Sequence, residues 1–210
     1  MKGSGTTFII AIAIIGLVLG GIIISSPRQT PTNNSETENS VSEDPALVNR
    51  DGAPRIGKED AKVKIVVFSY YLCPYCKELH EQLNEILKAN PDTVSLTART
   101  FLIHPSAEIL HQAAEAANKQ GKFKEMNDLL FSADQDPTED EVIEMAKKIN
   151  LNITQFKSDL NSDAVKSAIQ KDNDDAQALN LGGTPSVFVN GKYIDDPSGI
   201  GNIINTELGK

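Results

Sequence analysis

The feature that most constrains the fold is an apolar strand pattern that runs directly into a helix pattern. Val63–Ser69 is a short, β-branched apolar run, typical of a strand buried in a parallel sheet. Pro74 then begins a stretch whose apolar side chains recur at helical spacing, until the Asn-Pro-Asp sequence at residues 90–92 ends it. A second strand pattern follows at residues 94–103. A strand, a helix and a strand in this order predict a right-handed βαβ unit.

The rest of the chain is first helical and then returns to strands. Residues 107–180 carry apolar side chains at helical spacing, including a capping-box pattern from Thr138 to Glu141. Two short strand patterns then flank the Asn-Gly pair at residues 190–191, which predicts a hairpin, and a last helix pattern follows. The whole order indicates an α/β core that carries a helical insertion.

The N-terminus predicts a membrane span. The segment from Thr6 to Ile24 has no charge, and its 19 residues would form a helix of about 28 Å, close to the thickness of a bilayer core. It ends without the small-residue pattern of a cleavage site, so we expect an uncleaved signal anchor at residues 1–24. Lys2 precedes the span, which predicts a cytoplasmic N-terminus and a single-pass protein with its remaining chain outside the cytoplasm.

Residues 25–48 predict a disordered extracytoplasmic linker, because they are polar and show no periodicity. The folded domain is therefore expected at residues 49–210. The full chain has a formal net charge of −9, which argues against nucleic acid as a partner. Its two cysteines exclude a multi-disulfide scaffold and a Cys₄ zinc site.

Those two cysteines lie at the junction between the first strand and its helix, in the sequence Cys73-Pro74-Tyr75-Cys76. Pro74 suits the first helical position, which places Cys73 at the helix N-terminus. Unpaired N–H groups and the helix dipole favour an anion there, so Cys73 is the expected thiolate and nucleophile. Cys76 lies one turn further along and is expected to be less accessible. This asymmetry predicts that Cys73 forms a mixed disulfide and that Cys76 resolves it.

Two other interpretations of the pair remain open from these residues alone. A static disulfide would close a very short loop and would remove little chain entropy. A metal-binding module could use Cys73, Cys76 and His80, which follows Cys76 by one helical turn, with His104 as a fourth ligand. The acidic clusters at residues 134–141 and 172–175 are expected to be solvated loops and caps, with a calcium site as the alternative.

Three stretches together resemble the DsbA-like branch of the thioredoxin superfamily. They are residues 61–68 leading into the cysteine pair, residues 120–123 (QGKF) and residues 182–191 (GGTPSVFVNG). The resemblance implies a thioredoxin fold with a helical subdomain inserted at about residues 105–181. It also implies a redox-active Cys73–Cys76 disulfide without a further cofactor or metal, with Pro74 and Tyr75 in the active-site loop. Thr184-Pro185 would be a cis-proline loop that binds extended substrates.

The implied function is oxidation of cysteine pairs in reduced exported proteins, with a DsbB-like membrane quinone reductase restoring the disulfide. A reductase or isomerase with the same residues is the alternative, as is a chaperone-like module that does not turn over its cysteines. Many relatives carry acidic residues where this chain has Val67 and Tyr70. Because a nearby carboxylate disfavours a thiolate, their absence predicts an acidic Cys73 and an oxidising disulfide.

Overall fold

The computed structural model describes residues 40–133 and 135–210 of the chain. Within these residues no helix is both long and apolar enough to cross a bilayer. The predicted membrane span at residues 6–24 and most of the predicted linker lie outside the described part.

The described part is a mixed α/β structure in which a block of helices separates two groups of strands. In chain order its elements are α1 (Pro45–Val48), β1 (Arg55–Ile56), β2 (Val63–Ser69), α2 (Pro74–Ala89), β3 (Val94–Thr100), α3 (Glu108–Asn118), α4 (Phe123–Phe131), α5 (Glu139–Lys148), α6 (Ile153–Leu160), α7 (Asp163–Ala178), β4 (Ser186–Val189), β5 (Lys192–Ile194) and α8 (Ile200–Leu208). Short 3₁₀ turns precede α3 and α8.

The five strands form one sheet in the order β1-β3-β2-β4-β5. Strands β2 and β3 are parallel and joined through α2, which confirms the predicted βαβ unit. Strand β4 pairs antiparallel with β2, and the hairpin partner β5 lies at the edge. The central position of β2 explains its apolar sequence, because six of its seven residues are buried.

Alternate residues of β2 pack against different layers of helices, as the pleat of a strand requires. Ile65 and Val67 lie in one apolar cluster with residues of α2 and α8. Phe68 lies in another cluster on the opposite face, with Leu179 at the end of α7. Helix α2 therefore covers one face of the sheet, and its N-terminus is held at the carboxyl end of β2.

The helical insertion is confirmed as helices α3 to α7. Helices α3 to α6 share a third apolar cluster, which includes Leu110, Met126 and Phe156 and extends to Cys76. Helix α5 begins with the predicted capping box, in which the Thr138 hydroxyl accepts from the Glu141 N–H and the Glu141 carboxylate accepts from the Thr138 N–H. The insertion thus reaches the sheet core next to the cysteine pair.

The last residues of the predicted linker are ordered against this domain, which corrects the expected boundary at residue 49. The Ser42 N–H donates to the Leu179 carbonyl, and Glu43 accepts from the Tyr193 N–H. Asp44 caps α1, and Val48 is only 1% exposed. Burial of Val48 and the pairing of Glu43 stabilise an ordered conformation that composition alone did not indicate.

Two acidic residues of the cluster at 172–175 form a buried ion network, so their predicted solvation is wrong. Asp172 accepts from Arg99 Nε at 2.7 Å and from Arg50 Nε at 2.6 Å. Asp175 accepts from Arg99 Nη2 at 2.6 Å. Arg50 also pairs with Glu115 on α3. The network fastens α7 to β3 and to the segment after α1, since cations from both satisfy the buried carboxylates.

Candidate active site at the cysteine pair

Cys73 is the N-cap residue of α2, and Pro74 occupies the first turn, as the sequence predicts. No side chain of the described residues caps this helix end, so its first N–H groups remain available to an anion at Cys73. The Cys73 side chain is half-buried, and its Sγ lies 3.5 Å from the Thr184 carbonyl oxygen. Cys73 is therefore the thiol that an incoming group can reach.

Cys76 lies behind it and is only 2% exposed, in agreement with the predicted asymmetry. Burial raises the pKa of the Cys76 thiol to about 12, although hydrogen bonds with the Tyr70 backbone and the Thr184 side chain oppose this. Both thiols are free. Cys76 is thus held in its protonated form at neutral pH.

The loop before β4 faces the pair. The Thr184–Pro185 peptide bond is cis, which confirms the prediction for this loop. The loop is fastened by Ser186, whose hydroxyl donates to the Gly183 carbonyl at 2.7 Å. The structure therefore brings Cys73, Thr184 and Pro185 together from elements that are 111 residues apart in sequence.

A surface groove of about 390 Å³ begins beside the pair. Tyr75 projects into solvent at its edge with 73% of its surface exposed. The remaining lining residues come from α2, from the cis-proline loop and from the turn before α8: Glu78, Leu79, Gln82, Pro185, Asp196, Pro197 and Ser198. An extended polypeptide that reached Cys73 would find this groove next to it.

The structure does not support the metal-site interpretation of the pair. Within residues 40–133 and 135–210, no three His, Cys, Asp or Glu side chains are grouped so that they could hold a metal ion. His80 is buried and stacks on the Phe131 ring at 4.3 Å, and its Nε2 lies 3.1 Å from Asp128 Oδ1. His104 is exposed and contacts the Tyr70 ring. The two histidines are thus engaged elsewhere.

Sequence reasoning missed the polar cluster beneath the pair. His80 contacts Asn84 on its own helix and both Asn127 and Asp128 on α4. The one available signal was that His80 follows Cys76 by four residues on a helix, which places both on one face. The α4 partners lie 47 and 48 positions further along the chain, so only the tertiary structure reveals them.

Val67 and Tyr70 occupy the two positions that are acidic in many DsbA-like proteins, as the sequence indicates. Val67 is 6% exposed and packs in the sheet core near α2. Tyr70, the second such position, is also 6% exposed. Neither can stabilise or relay charge at neutral pH as a carboxylate would.

Comparisons with known proteins agree with this geometry. A family model described as Thioredoxin matches residues 49–205. The Na(+)/H(+) antiporter NhaA 3 of Salinispora tropica is 30% identical over 152 residues, which are 69% of this chain and 22% of that protein. The chain thus spans about a fifth of the length of the antiporter relatives it matches.

Two further relatives match this chain over most of their own length. The probable disulfide bond formation protein D of Bacillus anthracis is 30% identical over 169 residues, or 74% of this chain and 78% of that protein. The structure of oxidised BdbD from Bacillus subtilis has a TM-score of 0.65 and 27% identity, and the match covers 76% of this chain and 94% of that one. By its fold, its cysteine pair and these relatives, the chain belongs to the thioredoxin family.

Proposed function

We propose that this protein oxidises cysteine pairs in exported proteins through a Cys73–Cys76 disulfide. The observation that carries the proposal is the position of Cys73. Its Sγ lies at the uncapped N-terminus of α2 and 3.5 Å from the Thr184 carbonyl, with Cys76 buried behind it. One sulfur is accessible to a substrate and the other is shielded from it.

The reaction follows from this arrangement. A substrate thiolate attacks Cys73 Sγ of the disulfide, the Cys73–Cys76 bond breaks, and Cys76 leaves with the electron pair and takes up a proton. A second substrate thiolate then attacks the substrate sulfur of the mixed disulfide, and Cys73 leaves as a thiolate. The substrate loses two electrons and gains a disulfide, and the protein gains both electrons as one thiolate and one thiol.

The oxidising direction is supported by the surroundings of Cys73. The N–H groups at the start of α2 stabilise its thiolate, and no carboxylate occupies the positions of Val67 and Tyr70. A stabilised reduced form makes the disulfide a stronger oxidant. The backbone of the Thr184–Pro185 loop would hold the substrate by main-chain hydrogen bonds, which accept many sequences.

The proposed location is the outer face of the cell membrane, with the segment from Thr6 to Ile24 as the anchor in the bilayer. This rests on the apolar sequence of that segment and on Lys2 before it. By family inference, a DsbB-like membrane quinone reductase restores the disulfide. Protease digestion of intact spheroplasts tests the location, because an external domain would be degraded while cytoplasmic proteins remain.

The activity is tested with the oxidised full chain and a reduced peptide that contains two cysteines. We expect one peptide disulfide to form per protein molecule. Cys73→Ser and Cys76→Ser should each abolish the reaction, because neither variant can form the Cys73–Cys76 disulfide that accepts the two electrons. The assay is run in a buffer set to the redox potential of an oxidising compartment. If the protein reduces the peptide disulfide there in preference to forming it, the protein is a reductase.

A further inference from the structure

A small cavity lies directly beneath the Cys76 thiol. Its volume is about 20 Å³, which is room for one water molecule. Most of its wall is apolar, and the polar side chains that line it with Cys76 are Ser69, His80 and Asn127. Val67 also lines the cavity, so the position of the acidic residue in many relatives opens onto this space.

The hydrogen bonds around His80 define the roles of its two ring nitrogens. The Tyr71 hydroxyl donates to Asn127 Oδ1 at 2.8 Å, because burial raises the pKa of this phenol far above its usual range and keeps it protonated. The Asn127 amide then directs Nδ2 toward His80 Nδ1, at 3.4 Å. His80 Nε2 lies 3.1 Å from Asp128 Oδ1 and donates to it. Neutral His80 therefore carries its proton on Nε2 and presents Nδ1 as an acceptor.

The charged groups that face His80 come from one direction. Asp128 contacts it from α4, and hydrogen bonds from His80, Lys124 and Asn84 lower the pKa of this carboxyl despite its partial burial. From the cavity side, the lining residues of β2 and β3 carry no charge, and α2 contributes the Cys76 thiol. A carboxylate thus supports a proton on the His80 ring, and His80 lines the cavity together with Cys76.

Thiol–disulfide exchange requires a group that gives a proton to Cys76 and takes it back. Cys76 is a buried thiol that must gain a proton when it leaves the disulfide and lose it when it attacks. A carboxylate in place of Val67 could have exchanged that proton, and this chain has none there. Among the described residues, His80 is the one ionisable side chain besides Cys76 that lines the cavity.

We propose that His80 is the proton relay of Cys76, exchanging the proton with its sulfur across the cavity while Asp128 supports the charged ring. When a substrate thiolate attacks Cys73, the Cys73–Cys76 bond breaks and the imidazolium form of His80 protonates the departing Cys76 sulfur. In the reverse direction neutral His80 accepts the Cys76 proton, and the thiolate attacks Cys73 Sγ. The inference rests on the proposed thiol–disulfide exchange and adds the group that moves its proton.

The test uses the reduced full chain and an aromatic disulfide reagent that releases coloured thionitrobenzoate, followed by stopped flow. The first release reports attack by Cys73 on the reagent. The second reports attack by Cys76 on Cys73 Sγ in the mixed disulfide, which expels the other thionitrobenzoate. The two phases separate the accessible thiol from the buried one in a single experiment.

We expect His80→Gln to slow the second phase by about a hundredfold, within the usual range for general acid–base catalysis, and to leave the first phase unchanged. His111→Gln is the matched control, because His111 is also buried and stacks on the Tyr70 ring but does not line the cavity. Val67→Asp added to His80→Gln should restore part of the second-phase rate, since it returns a proton acceptor to the cavity.

The pH profile distinguishes a relay from a packing effect. In the wild type the second-phase rate should depend on pH less steeply than in His80→Gln, where it should rise about tenfold per pH unit because hydroxide removes the proton. The relay would be overturned if the second-phase rate were the same in the wild type and His80→Gln, or if His111→Gln slowed that phase as much as His80→Gln does. Either result would leave the proposed function intact. A wild type that releases only one thionitrobenzoate would contradict both.

Discussion

The buried His111 predicts a specific loss of stability in mild acid. Its ring is 3% exposed, Nδ1 contacts the Thr100 hydroxyl at 3.1 Å, and Nε2 has no hydrogen-bond partner in the described part of the chain. Burial lowers the pKa of His111 from 6.5 to about 3, because water is excluded from the ring and a charge there would be left unsolvated. The folded protein therefore holds His111 neutral over the whole range in which an unfolded chain would protonate it.

The sign and size of the effect follow from proton linkage. Between pH 6.5 and 3 the unfolded state binds a proton that the folded state does not, so the free energy of unfolding falls as the pH falls. Each pH unit of acidification within this window lowers the free energy of unfolding by about 1.4 kcal/mol. The His111 contribution to this loss is thus about 2 kcal/mol between pH 7 and pH 5, and about 4 kcal/mol between pH 7 and pH 3.

Urea unfolding of the full chain at pH 7 and pH 5 measures this loss. His111→Gln lowers stability at pH 7, because it removes the stacked ring, but its further loss at pH 5 should be smaller than that of the wild type by about 2 kcal/mol. His104→Gln is the control, since His104 is exposed, and it should retain the wild-type pH dependence. If the free energy of unfolding fell by the same amount between pH 7 and pH 5 in His111→Gln and in the wild type, His111 would not be the source of the acid sensitivity.

Three further substitutions test other parts of the account. Asp172→Asn leaves Arg99 and Arg50 without a shared anion and should lower the free energy of unfolding in urea by about 3–5 kcal/mol. The control Asp174→Asn changes a more exposed neighbour and should alter that free energy by at most about 0.5 kcal/mol. Similar values for both variants would contradict the buried network. Thr138→Ala should cost about 1 kcal/mol by loss of the α5 cap, and an unchanged melting curve would show that the cap contributes nothing. Tyr75→Ala should raise the KM for a dithiol peptide by roughly fivefold with kcat unchanged, because Tyr75 borders the groove but is not a reacting group; a fall in kcat alone would argue against a binding role.

The parts of the fold that the sequence predicts well depend on local patterns. The apolar run of β2 and the stripe of α2 specify a buried strand and the helix that covers it. The Asn-Gly pair specifies its hairpin, since Asn190 and Gly191 have φ values of 49° and 81° and these residue types tolerate the left-handed region. The cysteine motif predicts its own geometry because Pro74 fixes where α2 begins.

The parts that sequence could not predict depend on distant partners. Asp172 and Asp175 look like solvated charges until Arg99, more than 70 positions away, is placed against them by the sheet. Strand β1 has two residues and no apolar pattern, and it is defined only by its pairing with β3. His80 likewise resembles an ordinary helix residue until α4 closes over it.

The most direct test of the central claim is the reduction potential of the Cys73–Cys76 pair in the full chain, measured by equilibration with glutathione buffers. The account predicts an oxidising couple, nearer to the value of about −120 mV for DsbA than to about −270 mV for thioredoxin. The reason is that the helix N-terminus stabilises the reduced Cys73 and no carboxylate opposes it at Val67. A potential near −270 mV would contradict the oxidase and assign the same two cysteines to a reductase.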